Sequence, residues 1–179
     1  MIKLLMLGDS LVEWGDWGKH LPGVAVINRG IAGEMTEELS NRLMDEIDAC
    51  PEPDAVLIES GTNNLLFGYM FFPAILTSML QRLRLCYPHT PLILCSLMPM
   101  PIVAAHDLEQ VNRELAQAAA ATDNCVFLDV VGPFREQCLP ITHPGFLNDQ
   151  VHLSTRGYQV WAGAITRCLR ELFPDAPLG

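Results

Sequence analysis

The feature that most constrains this chain is a rhythm of apolar runs, Ile2–Leu7, Val24–Asn28, Ala55–Glu59, Leu92–Leu97 and Val126–Val130, separated by longer amphipathic stretches. Short apolar runs alternating with helix-period segments predict repeated βαβ units around a parallel sheet. The runs are continuously apolar rather than alternating, which suits strands covered by helices on both faces.

Between the runs, Leu39, Leu43 and Ile47 mark one helix face, Ile75, Leu76, Met79, Leu80 and Leu83 a second, and Leu108, Val111, Leu115 and Ala118 a third. A last helix is predicted to start at Ser154 as N-cap, to turn Trp161, Ala164, Ile165, Cys168 and Leu172 inward, and to stop at Pro174. Five such strands predict a three-layer α/β/α sandwich with a parallel sheet in the order 2-1-3-4-5 and right-handed crossovers. The 179 residues contain no linker-like stretch, so residues 1–179 are expected to form one domain, with disorder confined to Pro174–Gly179.

Charge and motifs remove several function classes. The formal net charge is −10 and no Lys/Arg stripe exists, so the long-range field opposes nucleic acid and anionic lipid. The first apolar run ends at Gly8, too short for a membrane span of about 20 residues or a signal-peptide core of about 7–15. A cytoplasmic location is the expectation. The six cysteines form no C-x-x-C pair, which argues against zinc, and Cys95 and Cys125 fall in strands where a thiol packs as a small hydrophobe, so reduced thiols are expected. No Gly-rich nucleotide signature follows any strand.

In sheets of this kind ligands bind beyond the carboxyl ends of the strands, at the switch point. The segments there are Gly8-Asp9-Ser10-Leu11 after the first strand, Asn28-Arg29-Gly30-Ile31-Ala32-Gly33 after the second, and Ser60-Gly61-Thr62-Asn63-Asn64 after the third. Far downstream, Asn148-Asp149-Gln150-Val151-His152-Leu153-Ser154 sets an acid three residues before a histidine, just ahead of the last helix. A hydroxyl attacks an acyl group when a base takes its proton, a third group holds that base in one tautomer, and fixed donors meet the developing oxyanion. Ser10 is the candidate nucleophile, His152 the base and then acid, and Asp149 the carboxylate on the other ring nitrogen. The candidate oxyanion hole is made of the Ser10 and Gly33 backbone N–H groups and the Asn63 side-chain amide, with Gly33 leaving its backbone open to a ligand.

Asp9 is read as a supporting residue that accepts local backbone N–H bonds. His20, His89, His106 and His143 are read as structural. Trp14, Trp17, Met98, Met100 and Phe146 are equally compatible with core packing and with an acyl pocket.

In this order, the four blocks resemble the SGNH hydrolase superfamily, the GDSL esterases and lipases: Ser10, Gly33, Asn63 and His152 match its naming residues and Asp149 its triad acid. Within it, Gly61-Thr62-Asn63-Asn64 and Asp149-x-x-His152-Leu153-Ser154 are most similar to the catalytic subunits of platelet-activating-factor acetylhydrolase and their bacterial relatives. The resemblance implies a flavodoxin-like fold, no metal, no organic cofactor, and hydrolysis of short acyl esters through an acyl-enzyme. Glu34 and Asn64 depart from the Asp the family often carries there, which blurs the subfamily but not the reaction. Carbohydrate O-acetyl esters, lysophospholipids and thioesters are alternative substrates for the same machinery, and a non-catalytic binding module is the alternative of another class. The natural substrate, acyl length and leaving group stay open. So does a homodimer through the acidic surface or the apolar Leu65–Phe72 stretch.

Overall fold

The computed structural model describes residues 1–177. Five strands, β1 (Ile2–Gly8), β2 (Val24–Gly30), β3 (Ala55–Glu59), β4 (Leu92–Cys95) and β5 (Cys125–Leu128), form one sheet in the order β2-β1-β3-β4-β5. Every pairing is parallel, with Gly8 level with both Gly30 and Glu59 at the carboxyl edge. This is the predicted order, and it puts β1 between β2 and β3.

Eight helices accompany the sheet among the described residues: α1 (Ser10–Glu13), α2 (Trp17–His20), α3 (Thr36–Ala49), α4 (Thr62–Leu66), α5 (Phe72–Cys86), α6 (Ala105–Ala120), α7 (Val131–Gln137) and α8 (Thr155–Leu172). The long helices α3, α5 and α6 pack side by side, while α8 packs with α2 and α7. Their expected apolar stripes are buried, from Leu39 and Leu43 on α3 to Trp161, Ile165 and Cys168 on α8, except that Ile75 and Leu172 are half-buried at the edge of the core. Ser154 caps α8 as expected, its hydroxyl accepting the Gly157 N–H at 3.1 Å.

Coverage on both faces holds for β3 and β4, which are buried throughout, and nearly so for β1. The edge strands β2 and β5 are only partly buried, because each lacks a neighbour on one side. The fourth strand stops at Cys95 rather than Leu97. Beyond it, the Ser96 hydroxyl accepts the Val130 N–H at 3.0 Å and the Asn112 side chain accepts the Leu97 N–H at 2.8 Å, so side chains replace the ladder. The bond from Val130 to Ser96 likewise marks the end of β5, which runs from Cys125 to Leu128 rather than to Val130, and β2 runs on to Gly30.

The short helices α1, α2, α4 and α7 occupy segments expected as loops, being too brief to show helical periodicity. The Leu65–Phe72 stretch is divided: Leu65 and Leu66 end α4, Phe72 opens α5, and Phe67, Tyr69 and Phe71 between them are exposed. Gly61 precedes α4 at φ +116°, where a Cβ would fall 2.2 Å from the Phe72 ring. Glycine is thus required both by conformation and by space.

Of the tail expected to be disordered, residues 174–176 form a turn, with the Ala176 N–H donating to the Phe173 carbonyl at 3.0 Å and Ala176 packed on the core. Residues 178–179 of that tail lie outside the described residues. All six cysteines are unpaired, and no helix among the described residues is long and apolar enough to cross a membrane.

Candidate active site

The site begins where β1 runs out of sheet. After Gly8 the Asp9 side chain accepts the Leu11 N–H at 3.0 Å, which turns the chain into α1 with Ser10 as its first residue. Two side chains anchor that turn from below: Tyr158 of α8 donates its O–H to the Leu11 carbonyl at 3.0 Å, and the Trp17 indole donates to the Val12 carbonyl at 2.8 Å. Ser10 is 5% exposed, almost wholly enclosed at the head of α1.

Opposite stands the loop before α8. It folds as a narrow return in which Phe146 and Leu153 form an antiparallel bridge, the Leu147 N–H donates to the His152 carbonyl at 2.7 Å, and the Ser154 hydroxyl donates to the Pro144 carbonyl at 2.6 Å. Gln150 at the tip has φ +62°, a left-handed conformation uncommon outside glycine. One carboxylate organises the tip. Asp149 Oδ1 accepts the Val151 N–H at 3.0 Å and the His152 N–H at 2.9 Å, and its Oδ2 lies 2.7 Å from His152 Nδ1.

These bonds, the one to His152 first, hold the Asp149 carboxyl down at about 2. With Nδ1 held against that carboxylate, Nε2 is the ring nitrogen that faces Ser10, whose Oγ is 3.1 Å away. Trp14, at the end of α1, stacks on the imidazole with centroids 4.1 Å apart and planes 25° from parallel.

The remaining candidates lie on the neighbouring loops. Gly33 is exposed at φ +79° with open space around its Cα, and the Asn63 amide donates to the carbonyl of the adjacent Glu34 at 2.9 Å. Outside regular secondary structure, neither the Ser10 nor the Gly33 N–H meets a protein acceptor among the described residues. The two loops are tied further by Asn64, which accepts the Thr36 N–H at 2.9 Å and donates to Glu37 at 2.8 Å, and by the Thr36 and Ser60 hydroxyls at 2.9 Å. Glu34 and Asn64, the departures from the family pattern, therefore brace these loops. The Glu34 carboxylate takes a two-point grip from Arg42 at 2.5 and 2.7 Å.

The structure brings Ser10, His152 and Asp149 into contact and sets Asn63 beside the Gly33 turn. The other histidines are elsewhere: His143 pairs with the neighbouring Thr142 at 3.0 Å, and His106 with Asp107 at 2.9 Å. Of the aromatic and Met candidates for an acyl pocket, Trp17 and Met98 are core residues. Met100 and Phe146 line a cavity of about 710 Å³ with Val103, Phe134 and Leu147, which borders the Asp149 loop at Gln150. Ser10 is not among its lining residues.

Two features escape sequence reasoning. Trp14, compatible by sequence with core packing or an acyl pocket, is neither buried in the core nor remote from the triad: it is half-exposed and stacks on the base. Glu59, the last residue of β3, is fully buried beneath the site. Its signal was an acid closing an otherwise wholly apolar strand.

A doubly wound sheet carrying a hydroxyl, an imidazole and a carboxylate in line at its carboxyl edge defines a class, that of the ester hydrolases. The chain belongs to the GDSL-like lipase/acylhydrolase family, whose model matches residues 6–160. No curated protein sequence matches it significantly. Among solved structures it is similar to a Streptococcus pneumonia protein provisionally assigned as a platelet activating factor (22% identity, TM-score 0.77, 94% of this chain and 84% of the other). It is also similar to a family 3 carbohydrate esterase of Talaromyces cellulolyticus (20%, 0.76, 98% and 99%) and to an acetyl esterase variant solved with an acetate ion (20%, 0.75, 98% and 99%). At such identities the likeness establishes a shared fold.

Proposed function

We propose that residues 1–179 are a single hydrolase domain that cleaves short-chain carboxylic esters through an acyl-enzyme on Ser10. His152 Nε2 takes the Ser10 proton as Oγ attacks the ester carbonyl, and Asp149 holds the Nδ1–H and stabilises the imidazolium that forms. The tetrahedral oxyanion is met by the Ser10 and Gly33 N–H groups and the Asn63 amide. His152 then protonates the departing alkoxide. Water, deprotonated by the same ring, attacks the acyl-Ser10 ester, and the adduct expels Ser10 Oγ, which takes that proton back from His152 as the carboxylic acid leaves. Every proton transfer and the covalent step use groups of the chain itself.

The observation that carries this reading is the unbroken path from Ser10 Oγ through the ring to Asp149, 3.1 Å at one end and 2.7 Å at the other. A shape-retaining scaffold without activity has no need for a half-buried imidazole locked in one orientation between a serine and a carboxylate. The acetate-bound acetyl esterase and the carbohydrate esterase among the structural relatives support acetyl and other short acyl groups, with sugar O-acetyl esters as the second reading.

The test is covalent labelling by a fluorophosphonate, located by mass spectrometry, alongside hydrolysis of p-nitrophenyl acetate. Labelling is expected on Ser10, and Ser10→Ala is expected to lower turnover by on the order of 10⁵-fold. A label on another residue, or an active Ser10→Ala protein, overturns the assignment.

A further inference from the structure

Beneath the nucleophile lies a pair of buried acids that the mechanism above does not use. Asp9 is 1% exposed and Glu59 is 0% exposed. Glu59 ends β3 level with Gly8, the last residue of the neighbouring β1, and Asp9 is the residue that follows Gly8 and caps α1. The Thr62 hydroxyl donates to Glu59 Oε1 at 3.1 Å and also interacts with Asp9, so one small side chain spans both. Asp9 Oδ1 is occupied by the Leu11 N–H. The two remaining oxygens, Asp9 Oδ2 and Glu59 Oε2, are buried without any hydrogen-bond partner among the described residues.

Two buried carboxylate oxygens without a protein partner carry a large desolvation cost, compounded by repulsion if both groups are ionised. Among the described residues no Lys or Arg acts on either carboxyl, and the nearby Glu34 already holds Arg42. The other groups around the pair are His152, Glu34, Tyr158 and Cys95, of which Tyr158 already spends its O–H on Leu11. One proton resolves the conflict, because a carboxylic acid donates where a carboxylate can only accept.

We infer that Glu59 is a protonated positioning residue, whose O–H donates to Asp9 Oδ2 and so fixes the cap that sets the Ser10 turn. Burial raises both carboxyls, but Asp9 already accepts the Leu11 backbone N–H, which favours its anion, whereas Glu59 accepts only the Thr62 hydroxyl. The proton therefore resides on Glu59. Asp9 is left as an anion that caps α1 and lies in the field of the His152 ring. The kinetic consequence rests on Ser10 as nucleophile, whereas the protonation state does not.

The test combines spectroscopy and rescue. Infrared difference spectra of wild type against Glu59→Gln at pH 7, without substrate, are expected to show the C=O stretch of a protonated carboxyl group in wild type only. Glu59→Gln, whose amide still donates to Asp9, is expected to keep kcat of the wild-type order. Glu59→Ala is expected to lower kcat by about 10²-fold, with a smaller change in KM, as a displaced nucleophile would. Absence of the protonated-carboxyl band overturns the inference, as does a Glu59→Gln enzyme as impaired as the alanine variant. If Glu59→Ala does not fold, the band and the glutamine variant still decide. A band present in an enzyme that Ser10→Ala leaves active sinks the nucleophile reading and leaves the proton assignment standing.

Discussion

The two sides of the candidate site are built by opposite means. The nucleophile side belongs to the core: Asp9 and Ser10 are 1% and 5% exposed, and Leu11 and Val12 behind them are completely covered. The base side is a surface loop, with the His152 and Asp149 side chains 24% and 48% exposed and held by short-range bonds inside 144–154. The hydroxyl is therefore fixed by the global fold, the imidazole chiefly by the Asp149 carboxylate of its own loop. Stability and chemistry should separate accordingly, because a loop with few buried contacts opens independently of the core.

Removing the base tests that separation hardest. His152→Ala is expected to lower turnover of p-nitrophenyl acetate by roughly 10⁵–10⁶-fold. Its melting temperature should move by no more than about 2 °C, the scale of a surface substitution in a chain of this length. A collapse in melting temperature would show that the loop is part of the cooperative core. The complementary substitution is Leu11→Ala, on the fully buried side. It should cost about 2–5 kcal/mol of stability, or roughly 5–15 °C, while the folded fraction keeps most of its turnover because the Leu11 backbone bonds remain. Equal melting temperatures for Leu11→Ala and wild type would break the comparison from the other end.

The same asymmetry explains what the sequence makes legible. β1, β3 and β4 are readable because a strand buried on both faces must be apolar throughout, and α3, α5, α6 and α8 because each is long enough to repeat its stripe. The carboxyl-edge polar residues stand out against those runs, so Ser10, Asn63, Asp149 and His152 are visible as candidates. What is not legible depends on distance in space. Glu59 reads as the polar end of a strand, and only the packing of α4 and α8 around it reveals a buried acid. Trp14 lies four residues beyond Ser10 and far from His152 in sequence, so nothing local announces that their partner is shared. Helices of four to seven residues leave no period to read.

Asp9 allows a sharper question about the buried side, because its carboxyl is raised to about 6 from 3.8. A raised acid binds its proton more tightly folded than unfolded. Its contribution to stability is thus complete below about pH 4 and is lost as pH rises through 6, with a ceiling of roughly 3 kcal/mol. Asp9→Asn removes that titration. Compared by urea denaturation, the variant should gain stability relative to wild type between pH 4 and pH 7. A relative loss over that interval would mean that the Leu11 N–H and the Glu59 O–H together more than offset the desolvation of the Asp9 carboxylate.

The smallest effect addresses the one side chain that joins the two regions. Trp14 is carried by α1, so its position comes from the core, yet its ring lies 4.1 Å from the imidazole of the surface loop. It is 53% exposed, and removing it therefore takes little buried area from the fold. Its stacking is worth about 0.5–1.5 kcal/mol, which corresponds to a roughly 2–10-fold reduction if the contact holds His152 toward Ser10. Trp14→Ala should accordingly lower kcat by that factor with an unchanged melting temperature, and Trp14→Phe, which can still stack, should recover most of the loss. The recovery is what separates orientation of the base from simple crowding of the substrate entrance, since a smaller ring that merely opened the entrance would change KM instead. If kcat is untouched in both variants, the Asp149 carboxylate alone holds the imidazole, and the two sides of the site meet only at the hydrogen bond between Ser10 and His152.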